Sequence, residues 1–142
     1  MRYLLDTNVV REDRPGGNNN VRAWLDSVEQ AELCLSVMPI LEVQRGIERE
    51  RRRNPAAVDR RQEYLKATIA AYAGRIIGID EDIALEWGRL VGQKDKHRDD
   101  MALAATVRVR GLVLVTRNVG DFRGRDVQVL DPFKRNPTIV MV

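Results

Sequence analysis

Four acidic residues in this sequence occur where a predicted strand ends or a predicted helix begins. Asp6 follows the apolar run at 3–5, and Asp121 follows a later apolar run by a few residues. Glu42 lies near the start of one predicted helix, and Asp100 opens another. In a parallel α/β sheet, strand carboxyl ends and the starts of the following helices share one face, so we expect these carboxylates to converge.

Four carboxylates in one cleft would repel one another and raise one another's pKa values. A divalent cation removes that repulsion, and oxygen ligands favour Mg²⁺, with Mn²⁺ able to substitute. The single histidine, His97, and the single cysteine, Cys34, cannot build a zinc site of the usual kind. A magnesium site can activate water and neutralise charge on a phosphate, which makes phosphodiester hydrolysis the expected chemistry.

Each acid also has a purely structural interpretation, which the sequence leaves open. Asp6 and Asp100 can instead cap the helices that follow them. Glu42 can be a solvated acid on a helix surface, and Asp121 can belong to a Gly-Asp turn. Asp99 directly precedes Asp100, and the apolar residues three, four and seven positions after Asp100 favour the second of the two.

Apolar runs alternate with helical spacings along the chain, and this alternation predicts the elements that position the acids. Strands are predicted at 3–5, 33–36, 75–79, 112–115 and 127–130. Helices are predicted around 21–28, over 37–53 and 59–73, after Asp80, and between Asp100 and Gly111. A charged loop is predicted at 93–98, and a C-terminal tail over about 131–142. The pattern is that of a single domain over 1–142, a three-layer α/β/α fold around a mostly parallel central sheet of four to five strands.

Length and composition limit the class of protein. The 142 residues suit one domain with a real core, and no apolar run approaches the ~20 residues that span a bilayer. We expect no signal peptide, because Asp6 and Arg11 interrupt the first apolar run, and we therefore expect a cytoplasmic protein. The net charge is +3, and most of the basic residues are arginines. This charge permits a nucleic-acid partner without showing one, and codon bias would explain the arginines equally well.

Five segments, in order along nearly the whole chain, resemble the PIN-domain ribonucleases, specifically the VapC/FitB-like toxins of bacterial type II toxin–antitoxin pairs. They are LLDTN at 4–8, LSVMPILEV at 35–43 continuing to Gly46, DMALAAT at 100–106, LVTRN at 114–118 with Asp121 and Phe122, and VLDPF at 129–133. The resemblance implies a catalytic and metal-binding quartet with two supporting polar groups. These residues are Asp6, Glu42, Asp100 and Asp121, supported by Thr7 and Asn118.

The resemblance also implies an activity and partners. The chain would be a Mg²⁺-dependent endoribonuclease that hydrolyses RNA with metal-activated water. A cognate antitoxin protein would restrain it, it would form a homodimer, and it would meet DNA only through the antitoxin. An extended antitoxin peptide carrying Arg or Lys is expected to pair with the carboxylates and to fill an apolar groove between the helices around 21–28 and 37–53. Gly46 is expected to let another backbone approach beside Glu42.

Three other interpretations compete with this one. A PIN-like domain that binds RNA or protein without catalysis would keep the same fold. A haloacid-dehalogenase-like phosphatase would use Asp6 as nucleophile, but that class needs a second Asp where this chain has Asn8. A receiver domain needs an acid pair at its first strand and a Lys after a late strand, where this chain has Thr116 and Arg117.

Overall fold

The structure is a computed structural model that describes residues 1–92 and 98–142, so the predicted loop at 93–98 lies almost entirely outside the described residues, His97 included. The strands are β1 (Tyr3–Leu5), β2 (Leu33–Ser36), β3 (Ile76–Ile77), β4 (Val113–Val115), β5 (Gln128–Leu130) and β6 (Ile139–Met141). The α-helices are α1 (Thr7–Val10), α2 (Asn19–Ser27), α3 (Val37–Arg53), α4 (Pro55–Ala71), α5 (Glu81–Leu90) and α6 (Arg98–Arg110). Short 3-10 turns cover Gln30–Glu32 and Val119–Phe122.

The strands form one mostly parallel sheet in the order β3-β2-β1-β4-β5-β6. β1 is central, with Leu4 opposite Cys34 of β2 on one side and Leu114 of β4 on the other. The predicted count of four to five strands was too low, because the described residues form six. The extra strand comes from the segment predicted to be a tail, where Val140 pairs antiparallel with Val129 of β5. Strand propensity depends on context, and pairing with β5 decides the conformation of this segment.

Helices cover both faces of the sheet, as predicted. Because side chains alternate along a strand, Leu4 packs with Met101 of α6 on one face, and Leu5 packs with Trp24 of α2 on the other. Both leucines are fully buried. Cys34 is a buried core residue, and burial raises the pKa of its thiol to about 11.

Local signals set the ends of the helices. The hydroxyl of Ser36 accepts a hydrogen bond from the Met38 N–H (3.1 Å), and α3 covers the predicted range. α4 begins four residues earlier than predicted, because Pro55 suits the first turn of a helix. Asp80 caps α5 by accepting from the Ile83 N–H at 2.9 Å. Over the two described ranges, no helix combines the length and apolar character needed to cross a membrane.

Candidate active site at the carboxyl edge of the sheet

Asp6 lies at the point where β1 ends, and both of its carboxylate oxygens accept hydrogen bonds. Oδ1 accepts from the Thr7 N–H at 2.7 Å, so Asp6 does cap α1. Oδ2 accepts from the hydroxyl of Thr116 at 2.8 Å and from the side-chain amide of Asn8 at 3.3 Å. A carboxylate offers about four acceptor positions. The cap and a ligand role are therefore compatible, and these bonds hold the carboxylate in one orientation.

Thr116 and Asn8 join the ends of β1 and β4, and the sequence interpretation assigned neither a role. Thr116 is fully buried, and its hydroxyl also accepts from the Asn118 N–H at 3.1 Å. Asn8 accepts from the Arg117 N–H at 3.2 Å. The signal was present in the two similar strand ends, Asp-Thr-Asn and Thr-Arg-Asn. The residues at these two strand ends contact each other only because β1 and β4 are neighbours in the sheet.

The two predicted supporting residues, Asn118 and Thr7, differ from each other in their surroundings. Asn118 reaches the network through its backbone N–H, and its side chain is exposed. Thr7 lies directly beside Asp6, and among the described residues its buried hydroxyl has no hydrogen-bond partner. Since buried polar groups are normally satisfied, an orphaned hydroxyl beside a carboxylate fits a site that admits a polar ligand.

Glu42 lies in the second turn of α3, and the pKa of its carboxyl responds to burial and to the other acids. Partial burial raises the pKa of its carboxyl, and the negative charges of Asp6, Asp99 and Asp100 raise it further, while Arg45 lowers it. Glu42 nevertheless retains an exposed surface. Like charges shift a pKa in this way only when they are close. The fold therefore brings the end of β1, the start of α3 and the first turn of α6 together.

Asp99 and Asp100 are both half-buried in the first turn of α6, and both raise the pKa of Glu42. The choice of Asp100 over Asp99 thus stays a prediction. Asp121 is half-buried in the 3-10 turn after β4, where its N–H donates to the Asn118 carbonyl at 3.1 Å. Its predicted ligand role also stays a prediction.

To bind a metal ion, several of these carboxylates would have to coordinate the same ion. In the parts of the chain that the structure describes, no three Asp, Glu, His or Cys side chains adopt an arrangement that could hold one. The donor chemistry nevertheless fits Mg²⁺, because the acids near Glu42 offer only oxygen and their mutual repulsion is what a hard cation relieves. Mg²⁺ binding therefore stays a proposal, and it requires these acidic side chains to move closer together.

The pKa of Glu42 predicts a pH-dependent stability for the metal-free protein. Because its folded pKa lies above its ordinary value of 4.5, the folded protein binds the proton more tightly than the unfolded chain. Ionised Glu42 therefore opposes folding above its folded pKa, and this effect is absent below pH 4.5. We expect Glu42→Gln in EDTA to raise the melting temperature at pH 7.5 by roughly 1–2 °C, since the group is partly solvated.

The matched control for this prediction is Glu48→Gln on the same helix. Glu48 is paired with Arg51 at 3.1 Å, and that partner lowers the pKa of Glu48. Its replacement should not raise the melting temperature. A Glu42→Gln protein that melts at or below the wild-type temperature at pH 7.5 would show that ionised Glu42 does not oppose folding.

A cleft of about 580 Å³ opens beside Glu42 and differs from the predicted groove. Residues of α1, α3 and α4 line it, and no residue of the predicted 21–28 helix does. Gly46 does permit a close approach, but of a side chain: the Arg61 guanidinium lies 3.1 Å from the position a Cβ at Gly46 would occupy. The prediction of an approaching backbone was therefore wrong, because α4 packs on α3 through its side chains.

Comparison with known proteins identifies the family. The PIN domain model matches residues 3–126, a range that contains all four predicted acids. Toxin FitB of Neisseria gonorrhoeae (strain ATCC 700825 / FA 1090) is 32% identical over 139 residues, which cover 92% of this chain and 97% of that protein. VapC ribonuclease Y4jK of Sinorhizobium fredii (strain NBRC 101917 / NGR234) is 27% identical over 140 residues, covering 92% of this chain and 97% of that protein.

A solved structure agrees with the sequence relatives. FitAB bound to an IR36 DNA fragment matches with a TM-score of 0.70 and 28% identity, over 93% of this chain and 96% of that chain. The PIN domain match over residues 3–126 excludes the phosphatase and receiver interpretations. The chain belongs to the PIN-domain family.

Proposed function

We propose that this chain is a metal-dependent endoribonuclease and the toxin of a toxin–antitoxin pair. The observation that carries the proposal is the Asp6 carboxylate, which three hydrogen bonds hold at the end of β1 beside the buried Thr7 hydroxyl that has no partner among the described residues. The raised pKa of Glu42 agrees with it. Three elements far apart in sequence deliver carboxylates to one place at a cost in repulsion, which is typical of a functional site. The relatives named toxin FitB and VapC ribonuclease support the same activity.

We assign each acid a role from its position. Asp6 and Asp100 would hold Mg²⁺, or Mn²⁺ in its place, most directly. Glu42 and Asp121 would hold a second ion or the attacking water. Asn8 and Thr116 would act as positioning residues, because their hydrogen bonds orient the Asp6 carboxylate.

The proposed reaction is hydrolysis of an RNA phosphodiester. Bound Mg²⁺ would lower the pKa of a water and offset negative charge on the phosphate. The water oxygen bonds to phosphorus while the bond from phosphorus to the 3′ oxygen breaks. Glu42, whose pKa is raised, is the best-suited carboxylate to take the proton of the water, and the departing 3′ oxygen takes one from solvent. The products are a 5′-phosphate and a 3′-hydroxyl.

Incubating the purified chain with total cellular RNA tests this proposal. We expect cleavage with Mg²⁺ and none in excess EDTA, and mapped ends should carry 5′-phosphates because water attacks rather than the 2′-hydroxyl. Glu48→Gln, which alters α3 outside the proposed site, should cleave like the wild type. Undiminished cleavage in EDTA, or ends with a 2′,3′-cyclic phosphate, would refute the mechanism.

A non-catalytic PIN-like domain that binds RNA or protein remains the second candidate. It is favoured by the finding that no metal-holding group of three side chains is formed among the residues the structure describes. The same assay separates the two candidates, since this one requires RNA binding or protein binding with no Mg²⁺-dependent ends.

The proposed partners follow from the activity and the relatives. A ribonuclease loose in a cell would damage its host, so an inhibitor is required. FitB is named a toxin, and FitAB has been solved on DNA. We therefore propose an antitoxin that inserts an Arg or Lys among the carboxylates and that alone contacts DNA. The proposed homodimer can be checked by light scattering of the purified chain.

A further inference from the structure

The cleft beside Glu42 is lined by several positively charged side chains. Arg11, Arg60 and Arg61 line it, and all three side chains are exposed. Among the described residues lining this cleft, Glu42 is the one carboxylate. None of the three arginines forms an ion pair with another described residue, whereas Arg51 and Arg108 do.

We propose that Arg60 and Arg61 form a phosphate subsite that holds the backbone of single-stranded RNA beside the acidic cluster. This inference rests on the proposed function, and it names how that site binds its substrate. A cluster of carboxylates repels a polyanion, so a nuclease needs nearby cations to offset the repulsion. Guanidinium groups bind phosphate through a planar fork, which suits them to the task.

Packing holds the subsite in place relative to Glu42. Ile47, Val58 and Leu65 form a small core between α3 and α4. The amides of Gln44 and Gln62 exchange two hydrogen bonds across the same pair of helices, at 3.1 and 3.2 Å. This register places the Arg61 guanidinium against Gly46, one helical turn from Glu42. A side chain at residue 46 would occupy part of the space that the guanidinium now uses.

Tyr64 supplies a platform for a base in the same cleft. Tyr64 is 45% exposed, and its hydroxyl donates to the Val10 carbonyl at 3.4 Å, which ties α4 to α1. Bases of single-stranded RNA stack on aromatic rings with little dependence on sequence. An exposed tyrosine one turn from two guanidinium groups that form no ion pair among the described residues therefore fits a nucleotide. The three arginines of this cleft favour an anionic ligand, whereas the Arg or Lys of the antitoxin is proposed to enter the acidic cluster beside it.

Binding in EDTA tests the subsite without catalysis. The probe is a short, fluorescein-labelled single-stranded RNA of mixed sequence, measured by anisotropy between about 50 and 200 mM salt. We expect Arg60→Gln and Arg61→Gln each to weaken binding about five-fold. The double variant should lower the slope of log affinity against log salt by about 1.4, since each lost phosphate contact removes ~0.7. Tyr64→Leu should weaken binding without changing that slope.

The matched control is Arg22→Gln, an exposed arginine on α2 that lies outside the cleft. It removes the same charge and should change neither affinity nor slope, and circular dichroism confirms that each variant is folded. If Arg60→Gln and Arg61→Gln bind RNA like the control, the proposal is overturned. A labelled oligoglutamate peptide is the second probe. If it binds more tightly than the RNA and depends more strongly on Arg60 and Arg61, the cleft belongs to an acidic protein and the proposal is also overturned.

The subsite and the proposed function can fail separately. With Mg²⁺, the two variants should raise KM more than they lower kcat, because the arginines hold substrate remote from the reacting phosphorus. If the wild type never cleaves but the binding pattern holds, the subsite stands and catalysis is refuted. If the wild type cleaves and the variants bind and cleave as it does, catalysis stands and the subsite is refuted.

Discussion

Asp6→Asn is expected to lower Mg²⁺-dependent RNA cleavage by about a thousand-fold or more, which corresponds to ~4 kcal/mol of transition-state stabilisation. The substitution keeps the size of the side chain but removes a negative charge from the proposed metal site. Cleavage of total RNA by the purified variant, with Mg²⁺ and with Mn²⁺, measures the effect. A variant that cleaves within about ten-fold of the wild type would remove Asp6 from the mechanism.

The same substitution should leave the metal-free fold as stable or slightly more stable. An amide oxygen at residue 6 can still accept from the Thr7 N–H, and removal of the charge relieves the repulsion acting on Glu42. Thermal melts in EDTA measure this, and Asp6→Ala is the control, because it deletes the cap and should cost about 1 kcal/mol. A clearly lower melting temperature for Asp6→Asn would instead mean that the Asp6 carboxylate stabilises the fold.

Expression of the chain alone is expected to arrest growth, and Asp100→Ala is expected to relieve the arrest. The expected effect is large, because the proposed ribonuclease without its inhibitor would act on RNA throughout the cell, whereas loss of Asp100, a proposed metal ligand, should abolish its activity. Colony counts after induction, at matched soluble protein levels, measure the effect. The prediction fails if the wild type and Asp100→Ala are equally harmless or equally toxic.

Asp99→Ala is the matched control, since Asp99 lies in the same turn of α6 and also raises the pKa of Glu42. It should remain toxic if the spacing of the apolar residues after Asp100 identifies the ligand correctly. Relief by Asp99→Ala with continued toxicity of Asp100→Ala would exchange the two roles.

Local signals in the sequence determined much of the fold. Ser36 and Asp80 mark helix starts because their side chains satisfy backbone N–H groups within three residues. The alternation of strands and helices predicted a mostly parallel sheet, and that topology requires strand ends to meet at one edge. The neighbourhood of Asp6, Glu42 and the start of α6 was therefore predictable without knowing any distance.

Contacts between distant residues were decided by the tertiary structure. The bond from Thr116 to Asp6 joins residues 110 positions apart, and no local pattern encodes which strand lies beside β1. β6 exists because β5 offers it an edge to pair with. The cleft is lined by α4 rather than α2, and Arg61 lies on Gly46, because of how two helices pack side by side. Short-range hydrogen bonds and periodicity can be read along a chain, whereas packing partners depend on the whole folded arrangement.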